Sequence, residues 1–387
     1  MIYFLLFVVL LFGSARFDFL HKHKGRSFWL CVEWLMLVSI VAFRYKIGGD
    51  TLVYMDEYEQ YPRLDQLEKF KFQEADYKPL WYVLCALCKS INESFAFFQL
   101  VHAVILNTVI VWFLKKNTKW VFTGVFLYGL FFYLNFNTEI LRASLAVCVF
   151  LLGYKYLLQR RWIIYLLLCV IAYGFHTEAL AMLIMPICLL LSKIKIQDTT
   201  LFFFIAVSMI VLVFLSLVSY LDILEFLASN DMEKLERYGS RTGISISGMG
   251  IVAKILYLLP CIIVLYVNRK QKGFMLKGFL LLYLFVSIQS IRYHVLTGRM
   301  LDFLKPLFIL SIADTLWLIY GNLKDKTSKL LGTIFLALTL FTGFYQYFEG
   351  SWFPYWKRYY PYSSVFEPEE NPERERLLYM YRNNLKR

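Results

Sequence analysis

The chain has 387 residues, of which 59% are apolar, 19% aromatic and 18% charged, and a formal net charge of +13. Soluble domains carry about 25% charged and about 45–50% apolar residues, so a water-soluble fold is excluded. A nucleotide-binding domain is excluded as well, because the longest interval without an apolar span, about 44 to 94, is too short for a βαβ sheet of adequate size.

Apolar runs recur at near the roughly 20 residues a helix needs to cross a bilayer. They predict an all-α polytopic membrane protein with about twelve transmembrane helices, near 2–13, 28–44, 95–114, 120–135, 138–158, 162–175, 177–192, 200–220, 250–267, 274–292, 299–320 and 329–348. Several are shorter than an ideal crossing, which calls for local thinning or burial among neighbours. The first resembles a signal-peptide core but lacks a basic flank and a small-residue cleavage site, so it is expected to be retained. Residues 1–348 then form one transmembrane domain with outer loops at about 44–94 and 221–247, followed by a polar tail, 349–387.

Charge sets the direction of the helices. If Pro79–Ile91 lies at the interface and does not cross, six loops fall on the cytoplasmic side. They carry seventeen basic residues, in clusters such as Lys115/Lys116/Lys119 and Arg269/Lys270/Lys272, against the three acids Asp18, Asp198 and Asp325. The long outer segments are acidic: Arg44–Lys78 has eight acids and six bases, and Leu221–Ser247 five and three. Both termini are then outside. Because the basic residues sit in short clusters between apolar runs, the positive charge reads as topology and not as a nucleic-acid footprint. The seven cysteines lie mostly inside apolar runs, where free Cys behaves as a small hydrophobe. Cys85 and Cys88 form a CxxC without a second pair or a thioredoxin-like context.

The costly polar residues gather at the outer ends of spans: Arg44, Asp50, Arg142, His176, Arg292, His294 and Arg299. Ionisable groups at membrane depth are functional candidates by default. Gly48 and Gly49 permit a sharp turn before Asp50, which also suits an N-cap for a helix from Thr51 with Tyr54, Tyr58 and Tyr61 on one face. Glu139 and Arg142, spaced i,i+3, read as an ion pair or as an arginine awaiting an anionic ligand. His176 sits at a turn between two spans, with Thr177 as a cap and Glu178 favouring the following helix N-terminus. Arg299 begins a span that also carries Asp302 and Lys305. Glu33, Lys254 and Asp314 lie at membrane depth with no assigned role. There is no HExxH, GxSxG, P-loop, paired CxxC or Asp-x-Asp motif, so neither a metal nor any other cofactor is expected.

Five motifs resemble the EpsG-like, Wzy-type polysaccharide polymerases. They are Arg44-x3-Gly48-x-Asp50-Thr51-x2-Tyr54, Tyr77-x-Pro79-Leu80, Ile140-x-Arg142-x2-Leu145-Ala146, Phe175-His176-x2-Ala179-Leu180 and Pro361-Tyr362. They occur in family order across about 45–362. The chain departs from the pattern at Lys78, where the family usually has an acid. The resemblance implies a GT-C-like, metal-independent membrane glycosyltransferase. Such an enzyme joins oligosaccharide repeat units of O-antigen, capsule or exopolysaccharide, carried on undecaprenyl diphosphate, at the outer face of the bacterial cytoplasmic membrane. It implies as partners a lipid-linked donor and acceptor, the bilayer and a chain-length regulator, and no nucleic acid.

On that basis Arg44, Arg142 and Arg299 are expected to hold the diphosphate, Asp50 or His176 to deprotonate the acceptor hydroxyl, and Tyr54 and Tyr77 to contact sugar. The residues fit independently: the inner loops are too short for a nucleotide-sugar site, and outward guanidinium groups suit a diphosphate leaving group. The competing readings are a lipid-oligosaccharide flippase or other transporter, an outer-face ligase or acyltransferase, and a non-catalytic assembly subunit. A transporter is disfavoured by the absence of inverted-repeat symmetry and of cationic residues through the midplane.

Overall fold

The computed structural model describes residues 2–69, 78–193, 198–217, 248–269, 271, 274–290, 294–322, 326–348 and 355–376. Most of them are helical: α1 Ile2–Gly13, α2 Arg26–Ala42, α3 Thr51–Gln60, α4 Pro79–Ile91, α5 Phe95–Asn117, α6 Val121–Phe131, α7 Tyr133–Thr138, α8 Leu141–Leu158, α9 Trp162–Phe175, α10 Met185–Leu191, α11 Asp198–Leu217, α12 Gly248–Val267, α13 Lys277–Gln289, α14 His294–Asn322 and α15 Lys326–Phe348. A helix lies at each of the twelve predicted positions. By length and composition, five stretches among the described residues are long and apolar enough to cross a bilayer: Ile2–Phe19, Phe95–Asn117, Leu141–Leu158, Thr297–Gly321 and Lys329–Tyr347. Helix α4, at 13 residues, is about 20 Å long and falls short of the roughly 30 Å hydrocarbon core. The predicted outer loop 221–247 lies outside the described residues.

The local sequence explains the boundaries. Ser94 caps α5 by accepting from Ala96 N at 3.2 Å, and Pro79 occupies the first turn of α4, where its missing N–H costs nothing. Asp18, one of the three acids that the sequence reading assigns to the cytoplasmic loops, is buried. Its Oδ2 accepts from Thr123 N at 2.7 Å, satisfying a first-turn amide of α6. Glu33, from α2, is fully buried and faces Gly13, where a Cβ would overlap its carboxylate.

Two compact units divide the chain. The first holds Met1–Ile184 and Leu316–Tyr379; the second is built on Met185–Thr315. In the first, α1 packs on α2 and α6, α2 on α5, α5 on α8, α8 on α9, and α4 on α5 and α9. A closed polar network links three of these helices. Asn107 Nδ2 donates to Asn137 Oδ1 at 3.0 Å, Tyr128 Oη to Asn107 Oδ1 at 3.0 Å, and Asn137 Nδ2 to Tyr128 Oη at 2.9 Å. Such a satisfied network rigidifies a core, here beneath the breaks at Phe132 and at Glu139–Ile140 that separate α6, α7 and α8. In the second unit α13 packs on α10, α11 and α12, and Asn268 Nδ2 donates to Thr315 Oγ1 at 2.8 Å.

The polar tail docks on the end of the first unit where α2 finishes. Tyr45 N donates to Ser363 O and Val365 N to Phe43 O, both at 2.9 Å, around an antiparallel bridge between Arg44 and Ser364. Tyr362 Oη reaches Ile40 O at 2.9 Å. The tail therefore lies on the same face as residues 43–49.

Candidate functional site

Arg142 is the second residue of α8 and is only 9% exposed. A cation in the first turn of a helix opposes the helix dipole, so strong partners must hold it. They come from α3 and α4. Its guanidinium lies 5.4 Å from the Tyr54 ring centre and 5.3 Å from that of Trp81, a stacked arrangement suited to a planar cation. Arg142 Nη2 pairs with Glu57 Oε2 and lies 3.3 Å from Tyr61 Oη. Tyr61 in turn donates to Glu57 Oε2 at 3.1 Å. The expected i,i+3 pair of Glu139 with Arg142 gives way to this one because the helix breaks at Glu139–Ile140 and turns the two side chains apart.

Glu139 instead ties three segments together. Its Oε1 accepts from Gly49 N at 2.6 Å and Tyr359 Oη at 3.0 Å, and its Oε2 from Arg358 Nη1 at 3.1 Å. The glycine pair is required here. Gly48 has φ +109° and a Cβ on Gly49 would collide with the Glu139 carboxylate. Glu139 O also accepts from Tyr54 Oη at 3.4 Å, so one residue touches both the Arg142 cage and the tail.

Asp50 occupies the N-cap position of α3, although its side chain makes no capping bond. Its carbonyl accepts from Tyr54 N at 3.0 Å. Thr51 anchors the turn by donating to Ile47 O at 2.5 Å. Arg44 is 2% exposed. It donates to the carbonyls of Val41 and, at 3.3 Å, of Ile47, while its Nη2 is buried without a hydrogen-bond partner among the described residues.

His176 closes α9. Its Nδ1 accepts from Glu178 N at 3.1 Å, which leaves the ring proton on Nε2. The preceding Phe175 packs against a cluster containing Tyr58, Tyr61, Trp81 and Leu141, so His176 stands at the same end of the bundle as Arg142. Arg299 lies in the second unit on α14, near the Asp302–Lys305 pair at 2.5 Å. Tyr77 and Arg292 fall outside the described residues, as does the side chain of His294.

Four partners escaped the sequence reading: Glu57, Trp81, Arg358 and Tyr359. Glu57 had a signal, since it sits three residues after Tyr54 and four before Tyr61, on the tyrosine face. The others are joined to the site only by long-range contact. His102 was missed as well. From α5 its Nε2 reaches Leu141 O and Ser144 Oγ, both at 3.1 Å, directly under the first turn of α8. Cys85 and Cys88 are free and buried. Burial pushes the Cys88 thiol up to about 11, which keeps it an inert packing group at neutral pH.

No curated protein and no solved structure matches the chain. The EpsG family pattern matches residues 27–364, a range that contains Arg44, Asp50, Glu57, Glu139, Arg142, His176 and Arg358. The chain is a multi-pass membrane protein and belongs to the EpsG family, a family of Wzy-like polysaccharide polymerases.

Proposed function

We propose that the protein extends a polysaccharide by transferring a glycan from a polyprenyl-diphosphate donor to a hydroxyl of an acceptor repeat unit. The setting is the outer face of a bacterial cytoplasmic membrane, crossed by twelve helices in a GT-C-like arrangement. One observation supports this most strongly. A nearly buried arginine stands at the N-terminus of α8, caged by two aromatic rings, with the Glu57 carboxylate in the place of an anion. A helix N-terminus and a guanidinium attract the same ligand. A diphosphate there would replace Glu57 as the counter-ion of Arg142.

In the reaction the acceptor hydroxyl gives its proton to a base and its oxygen attacks the anomeric carbon. The bond from that carbon to the diphosphate oxygen breaks, and polyprenyl diphosphate leaves with the bonding pair. Attack opposite the leaving group inverts the anomeric centre. Asp50 carries the base role in this scheme, since Nδ1 of His176 is already engaged and its Nε2–H is a donor. Arg142 and Arg299 neutralise the leaving group, Arg44 adds positive charge from behind the Ile47 turn, and Tyr54 and Tyr77 contact sugar. A chain-length regulator is the expected protein partner.

The test is complementation of a deletion strain followed by gel analysis of lipid-linked glycans. Arg142→Ala is expected to lower chain extension by about 10²–10³-fold, the usual effect of removing one transition-state donor. Single repeat units should accumulate at normal membrane expression. Polymer of normal length would remove Arg142 from the chemistry, and loss of outward delivery of the repeat unit would favour a flippase.

A further inference from the structure

The first unit contains an apolar cleft of about 410 Å3 that the reaction scheme does not use. Its walls are α1 (Tyr3, Phe4, Phe7), the α6–α7 break (Leu130, Leu134) and α15 (Phe344), and Trp356, Tyr359 and Tyr360 of the tail cover one end. Gly129 lines it too, where a Cβ would lie 2.6 Å from Leu10 Cδ1, so a larger residue there would push the Leu10 side chain aside. The lips face outward from the bundle: Phe4 is 72% and Phe344 40% exposed. A ligand can therefore enter sideways from the bilayer.

The end lined by the tail is connected to the candidate site. Tyr359, part of the cleft wall, donates to Glu139, whose other oxygen holds Arg358 and whose carbonyl meets Tyr54 of the Arg142 cage. Arg44, whose Nη2 has no hydrogen-bond partner among the described residues, lies within electrostatic reach of Tyr3 and Tyr133, two further wall residues. A hydrocarbon slot with Arg44 and Arg358 each one residue behind its wall matches a lipid with an apolar chain and a strongly anionic head. We propose that this cleft binds the head-proximal isoprene units of the polyprenyl-diphosphate donor, and then of the released polyprenyl diphosphate. The assignment rests on the polymerase reading of the neighbouring site. The volume lies near the lower end of the roughly 300–1,000 Å3 typical of ligand pockets, so it holds a few isoprene units and the rest of the chain extends into the bilayer.

The experiment uses the full-length protein in lipid nanodiscs and a short polyprenyl diphosphate carrying a diazirine in its second isoprene unit. The expected result is photolabelling of α1, α7 and α15 around Phe4, Phe7, Leu134 and Phe344. Excess unlabelled polyprenyl diphosphate should abolish it, and excess phosphatidylethanolamine should not. Leu134→Trp, which fills the slot, and Phe344→Ser, at its exposed lip, should each reduce labelling, so a folding defect in one leaves the other to decide. Equal labelling by a diazirine-bearing phosphatidylethanolamine would show a bilayer lipid only and overturn the proposal. Labelling centred elsewhere, such as the cleft lined by Leu166, Tyr173 and Leu183, would overturn it as well. Because labelling needs no turnover, repeating it with Arg142→Ala separates the two readings. Cleft labelling with undiminished chain extension removes only the role of Arg142, and lost extension with labelling elsewhere removes only the cleft.

Discussion

At the residue scale, Glu139 does the most joining, since one buried carboxylate holds an amide, a hydroxyl and a guanidinium from two distant parts of the chain. Removing one partner from a buried charged network costs about 3–5 kcal/mol, because the remaining groups stay desolvated. Glu139→Ala should therefore lower the thermal midpoint in detergent more than Glu139→Gln, which keeps acceptors for Gly49 and Tyr359. Equal midpoints for the two would mean that the tail does not engage Glu139 in solution. At Cys88, where burial raises the thiol, alkylation at pH 7–8 should require unfolding, and mass spectrometry of the native protein should find this cysteine unmodified.

These residues also show how far the sequence could be followed. That Arg142 needs an anionic partner was legible from its entry into an apolar span. The identity of the partner was not, because Glu57 lies 85 positions away and the helical spacing pointed to Glu139. The spacing argument failed for a specific reason: it assumed a continuous helix, and the chain breaks at Glu139–Ile140, where Glu139 N and Ile140 N share the carbonyl of Asn135. Arg44 was singled out as a candidate from its position, yet it is enclosed by backbone carbonyls and the tail, a contact no periodicity encodes. His102 was overlooked although Gln99, His102 and Asn107 place polar groups close to one face of an otherwise apolar helix.

At the element scale, α3 carries Glu57, Tyr54 and Tyr61 to Arg142 and must be held rigidly. Its C-terminus is fixed from outside itself: Lys89 of α4 donates to the carbonyls of Tyr58, Glu59 and Tyr61 at 3.1, 2.8 and 2.7 Å. A cation at a helix C-terminus adds up to about 2 kcal/mol in partly buried geometry. Lys89→Met keeps the aliphatic stem and loses this cap. The variant should fold and insert, with a donor KM raised several-fold while Arg63 and Glu93, which pair nearby, are unchanged. A KM equal to wild type would show that α3 is positioned by its tyrosine packing alone. Helix ends were the most legible part of the fold where charge or glycine marks them, as at Arg161 and His176, which bound α9. The α6–α7 break was hidden because every residue around it is apolar or aromatic.

At the scale of the whole molecule, the docking of residues 355–376 onto residues 43–49 makes the side of the tail and the side of the candidate site one question. Lys46 reinforces it, pairing with Glu370 at 3.1 Å and Glu375 at 3.3 Å. Burial lowers its affinity for protons, but the two carboxylates more than offset this and its pKa is raised. A raised Lys pKa adds stability below its unfolded value near 10.5, and that contribution fades only as pH climbs past the folded value, so ordinary working pH leaves the latch closed. In a background with the exposed Cys31 replaced, single cysteines at Glu59 and Glu367 should react with an impermeant maleimide in intact cells. Cysteines at Lys116 and Arg161 should react only after permeabilisation. Opposite behaviour of Glu59 and Glu367 would contradict the docking itself. The positions of the helices were read from hydropathy, whereas the tail's attachment was invisible there, because it depends on backbone pairing between segments more than 300 residues apart.

That attachment also has a timetable. Glu139 receives Arg358 and Tyr359 from 219 and 220 positions downstream, so the ribosome must add all of the intervening helices before this corner can close. A polypeptide that stops short, or is clipped by a protease behind its last membrane helix, would insert fully and still lack the lid on its own charge network.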